Sequence, residues 1–331
     1  MKTVFLVPAG MRSSQAAFRV APHVAIGRAR GVDAGMLEVP TAPFARYAFF
    51  SRLPRADVYV VHRELLSGYE IRTLRRLCGR IVYDYADAVW TMPDRELSSV
   101  LARRRAARRA SRFEMICSEA DQCIAENMTQ AQMAAPYQDQ VRIVPTALDP
   151  DIYTPGESRG HSGAVRVGWL ATEGDLEGLA AIVDRLADHA GPMQFSIVSD
   201  VPYDGPGRDF VFWSSPDHAR EVLRLQAMDI GLAAYPDDGY SRAGSGLDVL
   251  RYMACGVAVV ASDRGGVREI VDHGIDGFLC REAEDWPRYV LRLAGDEDLR
   301  RRMAEAARRK VVAKFGLAET SDQLWSAIGA A

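Results

Sequence analysis

The sequence predicts an α/β protein built from two parallel-sheet units. Short β-rich runs alternate with longer helical patterns, which is how βα units around parallel sheets read. The alternation pauses at a polar, Gly/Pro-bearing stretch, residues 149–163 (DPDIYTPGESRGHSG), and then restarts. A chain of 331 residues is also long enough for about two domains, each with its own core. These observations place a first domain at 1–150, a linker at 151–163 and a second domain at 164–331, whose last helix is free to cross back to the first.

In the first half, strands are expected at 3–8, 57–62, 80–85, 122–125 and 141–144. Residues 58–61 are all β-branched or aromatic, as suits a strand buried on both faces. After the linker, strands are expected at 165–170, 195–198, 210–213, 229–234, 257–261 and 277–280. Helices are expected at 175–190, 247–254 and 267–273, with helix from 286 to the end. Two such domains across a linker would take a ligand in the cleft at their facing strand ends.

Composition narrows the function. A net charge of −3 argues against a general polyanion binder, so nucleic acid is not an expected partner. No apolar run of about 18 residues is present to span a bilayer. The opening MKTVFLVP reads as a first strand, too short in its apolar part for a signal peptide. Five cysteines (78, 117, 123, 255, 280) form no CxxC pair, which suits a reducing, cytoplasmic setting without structural zinc. Residues 1–160 carry 22 Lys and Arg against 17 Asp and Glu, whereas the remainder carries 19 against 27. The second half therefore has no overall attraction for anions, and a phosphate there must be held locally.

The densest chemical information lies in residues 240–280, with two glycine-bearing turns that each open a helix. Gly244, Ser245 and Gly246 precede one; Gly265 and Gly266 precede the other, flanked by Arg242, Arg264 and Arg268. Free N–H groups and the positive end of a helix make such turns anion sites, and glycine lets a ligand approach closely. Read blandly, the same glycines only permit tight turns.

Met253-Ala254-Cys255-Gly256-Val257-Ala258-Val259-Val260-Ala261-Ser262, followed by Gly265-Gly266-Val267-Arg268-Glu269-Ile270-Val271 and Gly274-Ile275-Asp276-Gly277, resembles a known pattern. It is similar to the C-terminal domain of retaining, GT-B-fold glycosyltransferases of family 4. Asp229–Leu232, Val144–Asp149 and Asp296–Arg309 resemble further family segments, so the likeness is good over most of 141–317 and loose before it. It implies two Rossmann-like domains facing each other across a cleft, and transfer of a sugar from a nucleotide-diphosphate donor to an acceptor with retention of configuration. It implies no metal and no cofactor beyond the sugar nucleotide. The acceptor could be a glycan, a lipid-linked molecule, a small molecule or a protein.

Carried over residue by residue, the resemblance makes His62, ending a first-domain strand, the group that positions the donor sugar, with Glu64 beside it. The donor set is Arg242, Gly244, Ser245, Gly246, Asp248, Arg251, Arg264, Gly265, Gly266 and Glu269; Trp213, ending a strand, could pack near the base or equally serve core or rim packing. The acceptor side is Arg12, Ser13, Ser14, Arg19, Asp84 and Asp87. Departures are clear. The family's two glutamates, eight apart, fall on Ala243 and Arg251; lysines of a related branch fall on Gly244 and Asp248; residues 168–175 lack the usual cations. Arg242, Arg251 and Arg264 could compensate at the leaving group, with Asp248 and Glu269 taking over hydroxyl recognition. Asp248 and Arg251, three apart, could equally form a surface pair. The missing glutamates also admit an alternative: a non-catalytic partner subunit or binding protein of a glycosyltransferase.

Arg103, Arg104, Arg105, Arg108, Arg109 and Arg112 form a basic helix face. It could hold an anionic membrane surface, placing the protein peripherally at the inner face, or a lipid-diphosphate acceptor. The plain alternative is a solvated helix in a chain with only three lysines.

Overall fold

The computed structural model describes residues 1–10, 18–156, 163–171, 177–187, 193–207 and 211–329. The chain forms two compact units, one of Met1–Ala147, Asp238–Ser245 and Leu317–Ala331, the other of Leu148–Asp237 and Gly246–Gly316.

The first unit carries six parallel strands: β1 (Lys2–Pro8), β2 (Asp33–Val39), β3 (Val58–His62), β4 (Arg80–Asp84), β5 (Gln122–Ala125) and β6 (Val141–Ile143), in the order β2-β1-β3-β4-β5-β6. All five residues of β3 are buried. Tyr59 and Val61 pack with Ile81, Tyr83 and Phe113 on one face, while Val58 and Val60 pack with Phe5, Val82 and Trp325 on the other. Helices Pro43–Ser51, Gly68–Leu77 and Val100–Glu119 cover the first face; Ala21–Ala29 and the C-terminal Leu317–Ile328 cover the second. The last helix is fixed by Trp325, whose indole N–H donates to the His23 carbonyl at 3.1 Å. β2 is absent from the sequence expectation because its residues, DAGMLEV, form an edge strand with only Ala34 and Val39 buried and so lack a clean alternation.

The second unit has six parallel strands, β7 (Val165–Ala171), β8 (Met193–Ser199), β9 (Val211–Ser214), β10 (Ile230–Ala233), β11 (Ala258–Ser262) and β12 (Phe278–Cys280), in the order β12-β11-β10-β7-β8-β9. Strand order reverses at β1/β3 in the first sheet and at β7/β10 in the second. In open α/β sheets, ligands bind beyond the carboxyl ends of strands at such points. The helix expected at 267–273 is a single turn, Val267–Ile270. It ends because Asp276 takes the Asp272 N–H at 2.7 Å and Lys310 binds both carboxylates at 2.8 and 2.9 Å, committing the chain to a loop. The first part of the expected linker is pinned to this unit: Arg308 donates to the carbonyls of Pro150, at 2.7 Å, and Tyr153, and Gln226 donates to that of Thr154 at 2.8 Å. Residues 157–162 lie outside the described residues.

The contact between Gly27 and Trp325 gives a test of the first unit's packing. A Cβ at Gly27 would lie 2.2 Å from Trp325 Cζ2. Inside a helix, Gly→Ala ordinarily stabilises by up to about 1 kcal/mol. Here Gly27→Ala is expected to destabilise by about 1–3 kcal/mol in urea unfolding, because the added carbon overpacks the ring. A stabilised variant would mean that Trp325 does not seat there.

Candidate functional site

In the first unit the carboxyl ends of β3 and β4 carry a charged cluster with almost no water contact. Asp84, 2% exposed, ends β4 and receives Arg19 Nη2 at 2.6 Å and His62 Nδ1 at 2.6 Å. Arg19 also donates to the Val144 carbonyl, so one guanidinium joins the segment ahead of helix Ala21–Ala29 to the residue after β6. Burial acts to raise the Asp84 carboxyl, but the Arg19 charge and the His62 bond outweigh it and hold it far below the usual carboxylate range. For His62 the balance is opposite: burial dominates over Asp84 and lowers the imidazole, keeping it neutral. A carboxylate only accepts, so Nδ1 carries the proton and Nε2 presents a lone pair. That Nε2 is buried and has no hydrogen-bond partner among the described residues.

Arg63 and Asp87, just beyond these strand ends, hold positive φ of 58° and 59° and meet through Arg63 Nη2 and Asp87 Oδ2 at 3.3 Å. Such backbone costs of order 1–3 kcal/mol per residue in side chains other than glycine. It is held here by hydrogen bonds from Arg63 N to the Asp84 carbonyl at 2.9 Å and from Val89 N to the Asp87 carbonyl at 2.9 Å.

Several expected roles change on this geometry. Arg19 and Asp84 were expected on the acceptor side. Both are buried and satisfied by each other, so they orient His62 and offer no edge to an acceptor. Glu64 was expected beside His62 as a catalytic group, but its carboxylate is bound at 2.6 Å by Arg46, which also binds the helix-capping Glu70. Arg12, Ser13 and Ser14 lie outside the described residues. Of the basic helix, Arg104, Arg105, Arg108 and Arg112 are exposed, whereas Arg109 turns inward. Its buried Nε has no hydrogen-bond partner among the described residues, and burial lowers its pKa. Tyr240, Tyr83 and Arg63 are its electrostatic neighbours.

In the second unit, helix Leu247–Ala254 starts from Gly246 in the left-handed conformation (φ 69°), with no side-chain cap on its first N–H groups. A Cβ at Gly246 would also lie 2.7 Å from Ile270 Cδ1, so both backbone and packing require glycine. Gly265 (φ 51°) and Gly266 precede only the turn Val267–Ile270. There the N–H groups of Val267, Arg268 and Glu269 already donate to the carbonyls of Arg264, Gly265 and Gly266. The macrodipole expected at this second turn is therefore withdrawn, since one turn aligns too few peptides.

Arg251, expected at the leaving group, is 2% exposed, with Nε 3.2 Å from Glu221 and Nη1 3.6 Å from Asp248. Its charge is consumed inside the unit, in a buried network where a diphosphate cation or a surface pair was expected. Asp248 is correspondingly drawn toward Arg251. Arg264 remains part-exposed, donating to the Tyr235 carbonyl at 2.9 Å with Asp237 3.6 Å away. Glu269 and Arg242 are exposed. Trp213 is 40% exposed on the edge strand β9, its indole N–H donating to the Ser199 carbonyl at 3.1 Å.

Sequence reasoning missed what holds Ala243 and Gly244. Gln130 Nε2 donates to the Ala243 carbonyl at 2.8 Å and Asn127 Nδ2 to that of Gly244 at 3.2 Å, within the first unit. Glu126 accepts from Gln130 and from Thr146. The available signal was Glu-Asn directly after a buried strand, with Asn127 capping helix Met128–Ala134. Among the described residues no group of three or more His, Cys, Asp or Glu is placed to hold a metal ion, and no helix is long and apolar enough to cross a membrane.

Residues 225–310 match the family described as glycosyl transferases group 1. That stretch is similar to group 1 glycosyltransferases. Among curated proteins, N-acetyl-alpha-D-glucosaminyl L-malate synthase of Bacillus anthracis is 30% identical over 107 residues, 32% of this chain and 26% of that protein. D-inositol 3-phosphate glycosyltransferase of Stackebrandtia nassauensis is 26% identical over 253 residues, 65% of this chain and 55% of that one. The matches thus span from about a quarter to little more than half of these relatives. Sucrose-phosphate synthase of Thermosynechococcus elongatus superposes with a TM-score of 0.76 at 14% identity, covering 98% of both chains. Anabaena HepE, solved with UDP and glucose, gives 0.70 at 15% over 100% of both. The fold is that of these GT-B structures, two Rossmann-like α/β units.

The buried cluster makes a direct prediction. Asp84→Asn strips the charge that compensates Arg19 and is expected to destabilise the protein by about 3–5 kcal/mol in urea unfolding. The double change Arg19→Met with Asp84→Leu should recover part of that loss. Equal stability of Asp84→Asn and wild type would show that the ion pair is not desolvated.

Proposed function

We propose that the protein transfers a glycosyl group from a nucleoside-diphosphate sugar to an acceptor hydroxyl, with retention of configuration and without a metal. The observation that carries this reading is the group 1 segment at 225–310. In the proposed reaction the bond from the anomeric carbon to the diphosphate oxygen breaks and its electron pair leaves with the diphosphate. The acceptor oxygen bonds to the same face of that carbon, and its proton passes to the departing phosphate oxygen. The uncapped start of helix Leu247–Ala254 and the part-exposed Arg264 suit the charge that develops there, since preorganised donors act most strongly on developing charge. His62 Nε2, neutral and held in one tautomer by Asp84, would accept a hydrogen bond from a sugar hydroxyl.

Uracil is the base proposed for the donor, because HepE was solved with UDP and with UDP-glucose. For the acceptor, the inward Arg109 favours a molecule with an anionic group. The names of two relatives, an L-malate synthase and an inositol 3-phosphate transferase, support that choice.

A second reading is a non-catalytic partner subunit. It is favoured by Ala243 and Arg251 at the positions of the family's paired glutamates, with Arg251 already neutralised by Glu221 and Asp248.

The test is incubation with nucleotide sugars and a panel of hydroxy acids and sugar phosphates. Nucleoside-diphosphate release and the anomeric configuration of the product by NMR are the readouts. The expected result is release dependent on acceptor, undiminished by chelator, a product with the donor's configuration, and a fall of about tenfold or more in kcat/KM for His62→Gln. An inverted product would overturn the stereochemistry. Binding of the nucleotide without turnover of any donor would favour the partner subunit.

A further inference from the structure

The three helices on one face of the first sheet present an outer surface that the glycosyl-transfer chemistry does not use. Helix Pro43–Ser51 packs on Gly68–Leu77, which packs on Val100–Glu119. Each of them leaves apolar side chains exposed. Phe44 is 93% exposed and Tyr47 62%, and the Tyr47 ring stacks on that of Tyr69, itself 41% exposed, with centroids 5.5 Å apart. Beside Tyr69, the position a Gly68 Cβ would take is 3.7 Å from Met115 Sδ and 3.2 Å from Arg72 Nη1. Met115 continues helix Val100–Glu119, where Arg104, Arg108, Arg112 and Met115 are spaced four, four and three residues apart and so share one line. Leu101, 69% exposed, lies one turn further toward the start of that helix.

The cations of this surface are unneutralised. Helix Val100–Glu119 holds six arginines against Glu114 and Glu119. Arg72, Arg104, Arg105, Arg108 and Arg112 form no ion pair among the described residues. This contrasts with Arg46, Arg63 and Arg75 of the same unit, each bound to a carboxylate. A solvated helix face explains the arginines but not a phenylalanine 93% exposed and a tyrosine 62% exposed on the same layer of three helices. Exposed aromatic rings next to unpaired arginines are the arrangement that docks at a lipid interface, rings entering the headgroup region while cations meet anionic lipid.

We propose that this face, formed by Phe44, Tyr47, Tyr69, Arg104, Arg108 and Arg112, docks the protein on the surface of an anionic bilayer. The rings give depth and the arginines give the preference for negative lipid. The proposal is independent of the transferase reading, because none of these side chains belongs to the site at the strand ends.

Co-sedimentation with vesicles of phosphatidylcholine alone, or of phosphatidylcholine and phosphatidylglycerol at about 7:3, tests it. Wild type is expected to sediment with the mixed vesicles, to stay in solution with neutral ones, and to be released by high salt. Each arginine removed in a series toward Arg104→Gln, Arg108→Gln, Arg112→Gln should weaken binding about fivefold, which is about 1 kcal/mol per basic residue. Phe44→Ser with Tyr47→Ser should also weaken it, with Tm lowered only by the loss of the Tyr47–Tyr69 stack. Equal partition onto neutral vesicles, no binding by wild type, or indifference to the Phe44 and Tyr47 changes would overturn the proposal. Competition by soluble heparin as effective as by vesicles would do the same, since it would mark a surface that reads charge without a bilayer.

Discussion

A carboxylate deprived of water organises the first unit. Asp84 sits at 2% exposure, where an isolated charge would be several kcal/mol unfavourable, and it persists because Arg19 and His62 surround it. Those bonds, with the one from Arg19 to the Val144 carbonyl, tie the ends of β3, β4 and β6 to the entry of helix Ala21–Ala29. The same ion that fastens the strand ends fixes the protonated nitrogen of His62 and leaves the other as an acceptor. Structural and chemical roles therefore rest on one interaction, and the positive-φ pair Arg63 and Asp87 is built directly on it.

The two units distribute charge differently. In the second, cations are largely consumed internally: Arg166 by Asp229, Arg251 by Glu221 and Asp248, Arg268 and Arg281 by Asp263, Lys310 by Asp272 and Asp276. With an excess of acidic residues, that unit draws no anion by its overall field. Recognition of a phosphate would depend on a local device, the uncapped helix start at Gly246. In the first unit the surplus arginines point outward from helix Val100–Glu119, with Arg109 as the inward exception.

The fold was legible wherever burial on both faces forces continuous apolar runs, as in VYVVH of β3 or AVVAS of β11. It was not legible in β2, a half-exposed edge, nor at the end of the turn after Gly266, where Asp276 and Lys310 fold back from later in the chain. His62 could be singled out from its place after a buried strand. Its partner Arg19 could not be so assigned, because 65 residues separate Arg19 from Asp84 and only the parallel sheet brings them together. Arg251 shows the reverse difficulty. Three residues from Asp248 it reads as an exposed pair, and only Glu221, reached through the fold, makes it a buried one. Asn127 and Gln130 were hidden because their partners are backbone carbonyls, which carry no sequence identity.

The state of His62 is where structure and proposed chemistry meet, and nitrogen-15 NMR of the imidazole reads it directly. The ring is expected to be neutral and protonated at Nδ1 at neutral pH, because burial lowers its pKa below the usual value near 6.5. The Nε2 resonance should move when a nucleotide sugar is added and stay in place with the bare nucleoside diphosphate. An imidazolium at neutral pH, or an Nε2 signal indifferent to every nucleotide sugar that binds, would contradict it.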